Sequence, residues 1–364
     1  MRIGILTFHC AHNYGAVLQC YATQEFLRSK GYEVEIINYR PKYLLEPYKI
    51  FKIKRILSKN PIRMLKGLIK EFILFPIRFK RFCGFENFIN NKLILSKVVT
   101  KESIPSNYDV YIVGSDQVWN PKITRGFDLV YFADFPFQKG EKRYISYAAS
   151  MEAKALDDDQ TTFLNKNLSN FDSLSVREDV LQQLLKPLTS KPIFQVLDPV
   201  LMVPSEIWDN IPSGKKDIDK YVVVYQVRNH PDTMRIAHHI AAQIGVKVKV
   251  LVAWSQIKIH ETDQEATPEE FVNYIRNASC VVTTSFHGSA FSIIFNRPFY
   301  TIRLNDGADT RSSSLLKSIG LENRMIEANC SPVFSQIDYS SVNKKLNSLR
   351  VKSQNYLLSS LQYD

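Results

Sequence analysis

Short apolar runs recur along the chain and alternate with stretches that carry apolar residues at helical spacing. Residues 2–8 alternate like a strand, residues 15–29 place their apolar side chains largely on one helical face, and residues 33–39 alternate again. An order of strand, helix and strand is typical of a doubly wound α/β domain. The pattern therefore predicts such a domain at the start of the chain.

The same alternation continues farther along and becomes regular in the second half of the chain. The predicted strands and helices there are strands 109–113, 144–148, 172–176, 221–227, 246–252 and 280–284 and helices 232–244 and 268–277. We expect an α/β fold in which two Rossmann-like domains face each other across a cleft, with ligands at the carboxyl ends of the strands.

Two domains of common size fit a length of 364 residues. We expect the N-terminal Rossmann-like domain to span residues 1–168 and the C-terminal one to span residues 169–340. The remaining stretch, 341–364, contains an amphipathic run. We expect it to form a helix that packs back on the N-terminal domain.

A segment of different character interrupts the first domain at about residues 42–98. It shows no strand alternation, and it mixes apolar and basic residues at helical spacing with interruptions at Pro61 and Pro76. Proline breaks or kinks a helix interior. The segment is therefore predicted to be a basic helical insertion, with helices near 55–75 and 77–88.

Most of the net charge of the chain, +11, lies in one part of this insertion. Residues 49–82 hold eleven Lys and Arg and one acid, which gives 11 − 1 = +10. Cations mixed with apolar residues suit an anionic membrane surface, so we expect a peripheral position at the inner face of the membrane. The alternative is a solvated helical insertion, and nucleic-acid binding is disfavoured because no nucleic-acid module surrounds the segment.

The composition is that of an ordinary globular protein, with 45% hydrophobic and 23% charged residues. No run approaches the roughly 20 apolar residues of a membrane span, and the N-terminus reads as a strand rather than a signal peptide, so we expect a cytoplasmic protein. The five cysteines are scattered, which predicts neither a disulfide framework nor a zinc site. No metal is expected, because the loops lack acidic clusters of metal-ligand spacing.

A histidine stands at the turn between a predicted strand and a predicted helix. His287 follows Ser285 and Phe286 and precedes Gly288. A helix N-terminus presents backbone N–H groups and the positive end of the helix dipole to an anion, and an imidazole beside it can transfer a proton at neutral pH. The alternative interpretation is a polar residue that caps the turn.

Four motifs in the chain carry a family resemblance. They are His12-Asn13-Tyr14-Gly15-Ala16-Val17-Leu18-Gln19, Val113-Gly114-Ser115-Asp116-Gln117-Val118-Trp119-Asn120, Ser175-Val176-Arg177-Glu178 and Thr284-Ser285-Phe286-His287-Gly288. In this order, over roughly residues 1–305, the chain resembles the polysaccharide pyruvyl transferases. The resemblance implies a glycosyltransferase B-like architecture and transfer of the pyruvyl group of phosphoenolpyruvate to a sugar as a cyclic ketal. The sugar is expected to belong to a lipid-linked precursor of a bacterial surface polysaccharide.

The resemblance also implies a donor site on the C-terminal domain, where the histidine that matches His287 contacts phosphoenolpyruvate. Some members carry an arginine where this chain has Ser285. The carboxylate and phosphate of the donor require several cations or backbone donors. The expected donor-binding residues are Arg177 and Arg228, ranked ahead of Arg303 and Arg311, together with Ser285, Phe286 and Gly288. Phosphoenolpyruvate is the expected co-substrate, and no separate cofactor is expected.

Ketal formation requires an acid and a base. His287 is the expected acid, or it stabilises the departing phosphate as an imidazolium. Asp116 is the expected base or hydroxyl anchor, and the alternative is a turn-forming aspartate. The expected acceptor-binding residues are Asn13, Tyr14, Gly15, Gln19, Ser115 and Trp119.

Two other functions are compatible with the same architecture. The first is a glycosyltransferase that uses a sugar nucleotide, in which the 285–288 turn binds the diphosphate. The second is a membrane-associated scaffold of polysaccharide assembly without catalytic activity. The choice of donor distinguishes these possibilities.

Overall fold

The computed structural model describes residues 1–51, 60–212, 220–252 and 262–362. The strands are β1 (Arg2–Leu6), β2 (Glu33–Tyr39), β3 (Leu95–Val99), β4 (Val110–Val113), β5 (Arg143–Ser146), β6 (Leu174–Val176), β7 (Ile193–Gln195), β8 (Tyr221–Gln226), β9 (Lys247–Val252), β10 (Thr262–Asp263), β11 (Cys280–Thr283), β12 (Phe299–Ile302) and β13 (Met325–Ile326). The α-helices are α1 (Tyr14–Ser29), α2 (Lys42–Leu45), α3 (Pro61–Lys92), α4 (Pro121–Thr124), α5 (Asp158–Asn167), α6 (Asp179–Leu185), α7 (Pro199–Met202), α8 (Pro231–Ile244), α9 (Pro268–Asn277), α10 (Phe286–Ile294), α11 (Asp309–Ile319) and α12 (Tyr339–Leu361).

The first sheet has the strand order β3-β2-β1-β4-β5, and its paired strands are parallel. Every residue of β4 is buried, as expected for an apolar strand covered on both faces of a parallel sheet. The order reverses between β1 and β4, because the chain first adds strands on one side of β1 and then on the other. This reversal is the switch point at which doubly wound folds bind their ligands.

Strands β6 and β7 form a short parallel pair beside the first sheet. The backbone N–H of Ser146 donates to the carbonyl of Ser173 at 2.9 Å, and that of Arg177 donates to the carbonyl of Ala149 at 3.2 Å. The first sheet thus continues through β6 and β7. This differs from the expected division at residue 168, because strand alternation alone does not reveal which sheet a strand joins.

The second sheet has the order β10-β9-β8-β11-β12-β13 and is also parallel. Its central strand β8 is buried along its whole length. Both sheets therefore show the Rossmann order, with a switch point between β1 and β4 in the first and between β8 and β11 in the second. The predicted α/β fold with two Rossmann-like units is confirmed.

The segment predicted as a helical insertion differs from the prediction in two respects. Helix α3 is a single element that continues through Pro76, although an interior proline costs about 3 kcal/mol. Burial of Phe85, Phe88 and Ile89 in the core offsets this cost. The segment also ends in a strand, β3, which pairs with β2 at the edge of the first sheet. The sequence did not reveal β3 because only Val99 of its five residues is buried.

The C-terminal helix α12 lies against the first sheet. The hydroxyl of Tyr356 donates to the carbonyl of Ser146 at the end of β5, at 3.1 Å. The backbone N–H of Leu197 donates to the hydroxyl of Ser353 at 2.9 Å. None of the described helices has the length and apolar character that would be needed to cross a membrane.

Candidate active site

A cleft of about 270 Å³ lies at the carboxyl ends of both sheets. Its walls include the loops that follow β1 and β4 in the first sheet and β8 and β11 in the second. These four strands flank the two switch points, so the cleft lies where two doubly wound units present their ligand-binding ends to each other. The predicted site residues that line it are Asn13, Asp116, Arg228, Ser285, Phe286, His287 and Arg311.

His287 occupies the first turn of α10, which begins at Phe286. The sequence accounts for the start of α10. The apolar strand β11 ends at Thr283, and the small and apolar residues after His287 form a buried helix. Ser285 occupies the N-cap position, but its side chain forms no capping hydrogen bond. The positive end of the α10 dipole therefore faces the cleft without a side-chain cap.

The imidazole of His287 is held from two sides. Its Nε2 lies 3.6 Å from Oδ2 of Asp198, which is fully buried. On the other side the ring lies directly on the backbone of Gly15, where even a methyl group would overlap it. Gly15 lies in the first turn of α1, and the Oδ1 of Asn13 accepts from its N–H at 3.0 Å. Two helix N-termini, one from each half of the chain, thus meet at His287.

Arg177 lies beneath this histidine and is surrounded by carboxylates. Its Nη1 donates to Asp198 at 2.5 Å, its Nε donates to Glu178 at 3.2 Å, and its Nη2 lies 3.8 Å from Asp116. The guanidinium also stacks over the ring of Phe286 at 4.8 Å. Burial by itself lowers the pKa of Arg177, but the surrounding carboxylates outweigh it and raise the pKa. Arg177 is a buried cation that organises the site, and it does not line the cleft as the sequence predicted.

Asp198 and Glu178 respond to burial in opposite ways. Burial raises the pKa of the Asp198 carboxyl, but His287 and Arg177 overcome this effect and hold the pKa well below its ordinary value. Burial also raises the pKa of Glu178, and the Arg177 charge and a 2.6 Å hydrogen bond from Ser150 compensate only in part. Asp198 is therefore the firmly ionised partner of both His287 and Arg177.

Asp116 lies next to Arg177 in this group of ion pairs, and it also lines the cleft. Its backbone adopts a left-handed conformation with φ of 71°, which is uncommon for a residue other than glycine. Its carbonyl accepts from Ser150 at 3.1 Å, and its side chain is 14% exposed. The structure thus places the expected base within the cleft that also holds His287.

Arg311 is the cation best placed to bind an anion in the cleft. With the oxygen and nitrogen of the Gln117 amide assigned to suit their neighbours, the amide oxygen accepts from both terminal nitrogens of Arg311, at 3.0 and 2.9 Å. Within the described residues, Arg311 has no carboxylate at ion-pair distance, and its buried Nε has no hydrogen-bond partner. Burial lowers the pKa of Arg311, and the charge of Arg177 lowers it further. A bound anion would relieve both effects.

The other two arginines have protein partners. Arg228 lines the cleft, but it donates to both oxygens of Glu152, at 2.9 and 2.7 Å, and to Asp306. Arg303 lies 3.2 Å from Glu327 and lines a separate surface depression. These contacts favour Arg311 over Arg228 at the cleft, contrary to the predicted ranking, because a cation already paired with carboxylates has less capacity for another anion.

Two of the residues predicted to bind the acceptor hold α1 in place from within the core. Tyr14 stacks on Phe271 with ring centroids 4.5 Å apart, and its hydroxyl donates to the carbonyl of Ala266 at 2.8 Å. The amide of Gln19 donates to Thr7 at 2.7 Å. Tyr14 thus joins α1 to the helices of the second sheet, a long-range role that the local sequence does not reveal.

Trp119 and Ser115 are fully buried as well. The indole of Trp119 stacks on Phe132 and donates to the carbonyl of Tyr131 at 2.8 Å. The hydroxyl of Ser115 donates to the carbonyl of Ala148 at 3.0 Å. Neither side chain has a free face for a sugar, so the prediction of direct acceptor contacts does not fit the structure at these positions.

Gly288 serves packing rather than ligand approach. A methyl group at this position would overlap the side chain of Thr283. Thr283 in turn fixes the turn before α10, because its hydroxyl accepts from the N–H of Ser285 at 3.0 Å. The glycine on each side of His287 thus has a different function, since Gly15 accommodates the imidazole and Gly288 accommodates the end of β11.

Asp198 and Glu152 are two site residues that the sequence did not reveal. Asp198 precedes Pro199 at the start of α7, and such a position is typical of a helix cap. It does cap the helix through Oδ1, which accepts from Val200 at 3.0 Å, but its second oxygen faces Arg177 and His287. Its position directly after the apolar residues Val196 and Leu197 was the available signal. Glu152 carries no comparable signal, because its partner Arg228 is distant in sequence.

Within the described ranges, no group of three or more His, Cys, Asp or Glu residues is arranged to hold a metal ion. The carboxylates at the site instead surround the guanidinium of Arg177.

The fold and the cleft define a two-sheet α/β protein whose site combines an imidazole, a carboxylate and an arginine that lacks a carboxylate partner among the described residues. The chain belongs to the polysaccharide pyruvyl transferase family, whose model matches residues 13–306. Membership places the protein among the transferases. A search of the curated proteins finds no match.

Several solved structures are similar over nearly the whole chain. The glycosyltransferase SsfS6 of Streptomyces sp. SF2575 is 12% identical, with a TM-score of 0.44 and 99% of each chain covered. The UDP-GlcNAc 2-epimerase of Methanocaldococcus jannaschii is 12% identical, with a TM-score of 0.47 and 100% of each chain covered. The UDP-N-acetylglucosamine 2-epimerase of Rickettsia bellii is 9% identical, with a TM-score of 0.46 and coverage of 99% of this chain and 96% of that one.

Proposed function

We propose that the protein transfers the pyruvyl group of phosphoenolpyruvate to two hydroxyls of a saccharide, forming a cyclic ketal and releasing phosphate. The observation that carries the proposal is Arg311, a buried cation that lines the cleft beside His287. Its Nε has no hydrogen-bond partner among the described residues. Buried polar groups are rarely left unpaired, so a ligand rich in anionic oxygens suits this position.

Phosphoenolpyruvate has the charge that such a site requires. Its carboxylate and phosphate need two groups of donors, and the cleft offers Arg311 and the first turn of α10. Arg228 provides a third cation at the rim, although it is shared with Glu152. Arg177 supports the site from below by fixing Asp198 and Phe286.

His287 and Asp198 have separate roles in the first proton transfer. His287 donates a proton to the methylene carbon of the enol, which becomes a methyl group and leaves positive charge on the adjacent carbon. Asp198, ionised and 3.6 Å from Nε2, supplies the countercharge for a protonated imidazole and orients the ring. The role of Asp198 parallels that of the carboxylate in other carboxylate–imidazole pairs.

The acceptor hydroxyls complete the reaction. The first hydroxyl oxygen bonds to the cationic carbon and gives its proton to Asp116. The bond between that carbon and the phosphate oxygen then breaks, the second hydroxyl oxygen takes the vacated position, and its proton goes to the departing phosphate. The proton held by Asp116 then passes to His287, which gave its own proton to the carbon, so both residues return to their starting states.

A donor and acceptor panel tests the proposal. The protein is incubated with phosphoenolpyruvate and lipid-linked or nitrophenyl galactosides and N-acetylhexosamines, while phosphate release and product mass are followed. We expect an acid-labile mass gain of one pyruvate less one water, and its loss in His287→Ala. Transfer from a sugar nucleotide with no gain from phosphoenolpyruvate would instead establish the glycosyltransferase alternative, and binding of neither donor would favour the scaffold.

A further inference from the structure

The first half of α3 exposes an apolar stripe to solvent. Ile62, Leu65, Ile69 and Phe72 are 65%, 58%, 51% and 67% exposed. Their spacing of three and four residues places them on one face of the helix. Ile73 and Phe79 are also about half exposed and extend the stripe. Contiguous exposed apolar surface of this kind marks an interaction site.

The opposite face of α3 is the face that packs on the protein. Glu71, Leu74 and Arg78 are buried there, and Arg78 donates to Glu71 at 2.5 Å and to the carbonyl of Ile50 at 3.1 Å. The usual arrangement of a surface helix, with its apolar face inward, is therefore not what this segment shows. The apolar stripe is turned away from the protein body.

The cations of this region divide into two groups. Arg81 is internal, since its Nη1 donates to the hydroxyl of Tyr14 at 2.9 Å, and Lys80 is paired with Glu265 at 2.6 Å. By contrast, Arg63, Lys66 and Lys70 are exposed along one flank of the apolar stripe. The charge available to a partner is thus concentrated beside the stripe. Residues 52–59, which include further Lys and Arg, lie outside the described residues.

From this arrangement we infer that the outer face of α3 docks on an anionic membrane surface. Exposed apolar side chains enter the boundary of the acyl chains, and the flanking cations bind the lipid headgroups. The stripe from Ile62 to Phe79 is about 26 Å long at 1.5 Å per residue, so the helix lies along the surface. A second copy of the chain would bury the stripe too, but it would bring two cationic flanks together, which disfavours it electrostatically.

The docking face is connected to the cleft through α3 itself. The second half of the helix carries Phe85, whose ring stacks on His12 with centroids 5.2 Å apart. His12 immediately precedes Asn13, which lines the cleft, and Tyr48, another lining residue, lies 5.6 Å from His12. The helix that carries the docking face thus also contacts residues that line or adjoin the cleft. Such a connection suits a lipid-linked acceptor, a link that rests on the proposed function.

Vesicle co-sedimentation of the full chain tests the inference. The vesicles contain phosphatidylcholine alone or with phosphatidylglycerol, each at low and high salt. We expect binding to the anionic vesicles at low salt, weak binding to the neutral ones, and release at high salt. Ile69→Glu/Phe72→Glu should abolish binding. Lys66→Gln/Lys70→Gln should weaken it by about fivefold for each cation removed.

Val351→Glu is the matched control, because Val351 is 54% exposed on α12 and lies outside the stripe. It should bind vesicles like the wild type. The inference is overturned if the wild type ignores anionic vesicles, if it binds neutral vesicles equally, or if Ile69→Glu/Phe72→Glu still binds. It is also overturned if sedimentation equilibrium without vesicles shows that the wild type is a dimer and that Ile69→Glu/Phe72→Glu dissociates it.

Failure of the docking inference and failure of the proposed function are distinguishable. Stabilisation of the protein by phosphoenolpyruvate against heat reports on the cleft alone, and it should be unchanged in the α3 variants. Loss of vesicle binding with that stabilisation intact supports the docking face. Wild-type vesicle binding without any effect of phosphoenolpyruvate would leave the docking face supported and argue against the proposed donor.

Discussion

The imidazole of His287 rests on the backbone of Gly15, and no side chain larger than hydrogen fits between them. The two residues lie at the N-termini of α10 and α1, which follow the switch points of the two sheets. The position of His287, the proposed proton donor, is therefore set by contact between the two halves of the chain. In the proposed reaction Gly15 is a positioning residue that acts through His287.

Gly15→Ala should displace the imidazole and lower turnover by at least about 100-fold, the lower range for loss of a general acid. Turnover is measured as phosphate release from phosphoenolpyruvate with a saccharide acceptor. Gly84→Ala is the control, because Gly84 is also helical and its added methyl group would come closest to the side-chain methyl group of Thr267. Full turnover of a folded Gly15→Ala protein would show that His287 does not need this contact.

Arg311→Met should weaken phosphoenolpyruvate binding by about tenfold to a hundredfold, because it removes charge-assisted hydrogen bonds to the donor. Titration calorimetry with phosphoenolpyruvate measures the change. Arg303→Met serves as the comparison, since Arg303 is paired with Glu327 and lies away from the cleft. Equal affinities of the two variants would remove Arg311 from the donor site.

Asp198→Asn should lower the free energy of unfolding by roughly 3–5 kcal/mol at neutral pH, because it leaves the buried Arg177 charge without its closest partner. Since His287 and Arg177 hold the pKa of Asp198 below its ordinary value, the ionised carboxylate stabilises the folded state above about pH 4. That contribution is lost as the pH falls through the folded-state pKa.

The difference between wild type and Asp198→Asn should therefore be constant from neutral pH down to about pH 5 and should shrink below about pH 4. Urea unfolding at a series of pH values measures it. Asp134→Asn, at an exposed aspartate, should show little difference at any pH. If the difference for Asp198→Asn grew on acidification, the pKa of the Asp198 carboxyl would have to be raised in the folded state rather than lowered.

Trp119→Ala should destabilise the fold by roughly 3–5 kcal/mol, because it removes a fully buried indole from the core. Trp119→Phe retains most of the ring packing against Phe132 and should leave the KM for the saccharide acceptor unchanged. Thermal unfolding and acceptor kinetics separate the two effects. A large rise in acceptor KM for Trp119→Phe, without loss of stability, would restore the sugar-stacking role predicted from the sequence.

The sequence predicted where the cleft lies better than it predicted which of the surrounding side chains are buried. A polar residue after a parallel strand has to lie near the carboxyl edge of the sheet, which located Asp116 and His287. Whether that residue points into the cleft or into the core depends on packing against distant elements. Trp119 and Tyr14 were therefore predicted to contact the acceptor, although both are buried.

The ranking of the arginines as donor-binding residues shows the same limit of prediction from local sequence. Arg177 and Arg228 follow strands and were ranked first, but their carboxylate partners come from other loops. Arg311 lies on α11 and has a neutral partner, Gln117, from the first sheet. Pairing between residues that are far apart in sequence determines which cation is available, and no local pattern reports it.

The sequence by itself determined the two Rossmann-like units, the strand-end loops and the amphipathic character of the α3 segment, because hydrophobic periodicity follows from which side of each element is covered. Tertiary structure decided the contact between Gly15 and His287, the ionised partner Asp198, and the face of α3 left exposed. These depend on how two sheets approach each other and on which buried charges must pair, and such long-range relations are fixed only when the chain is folded.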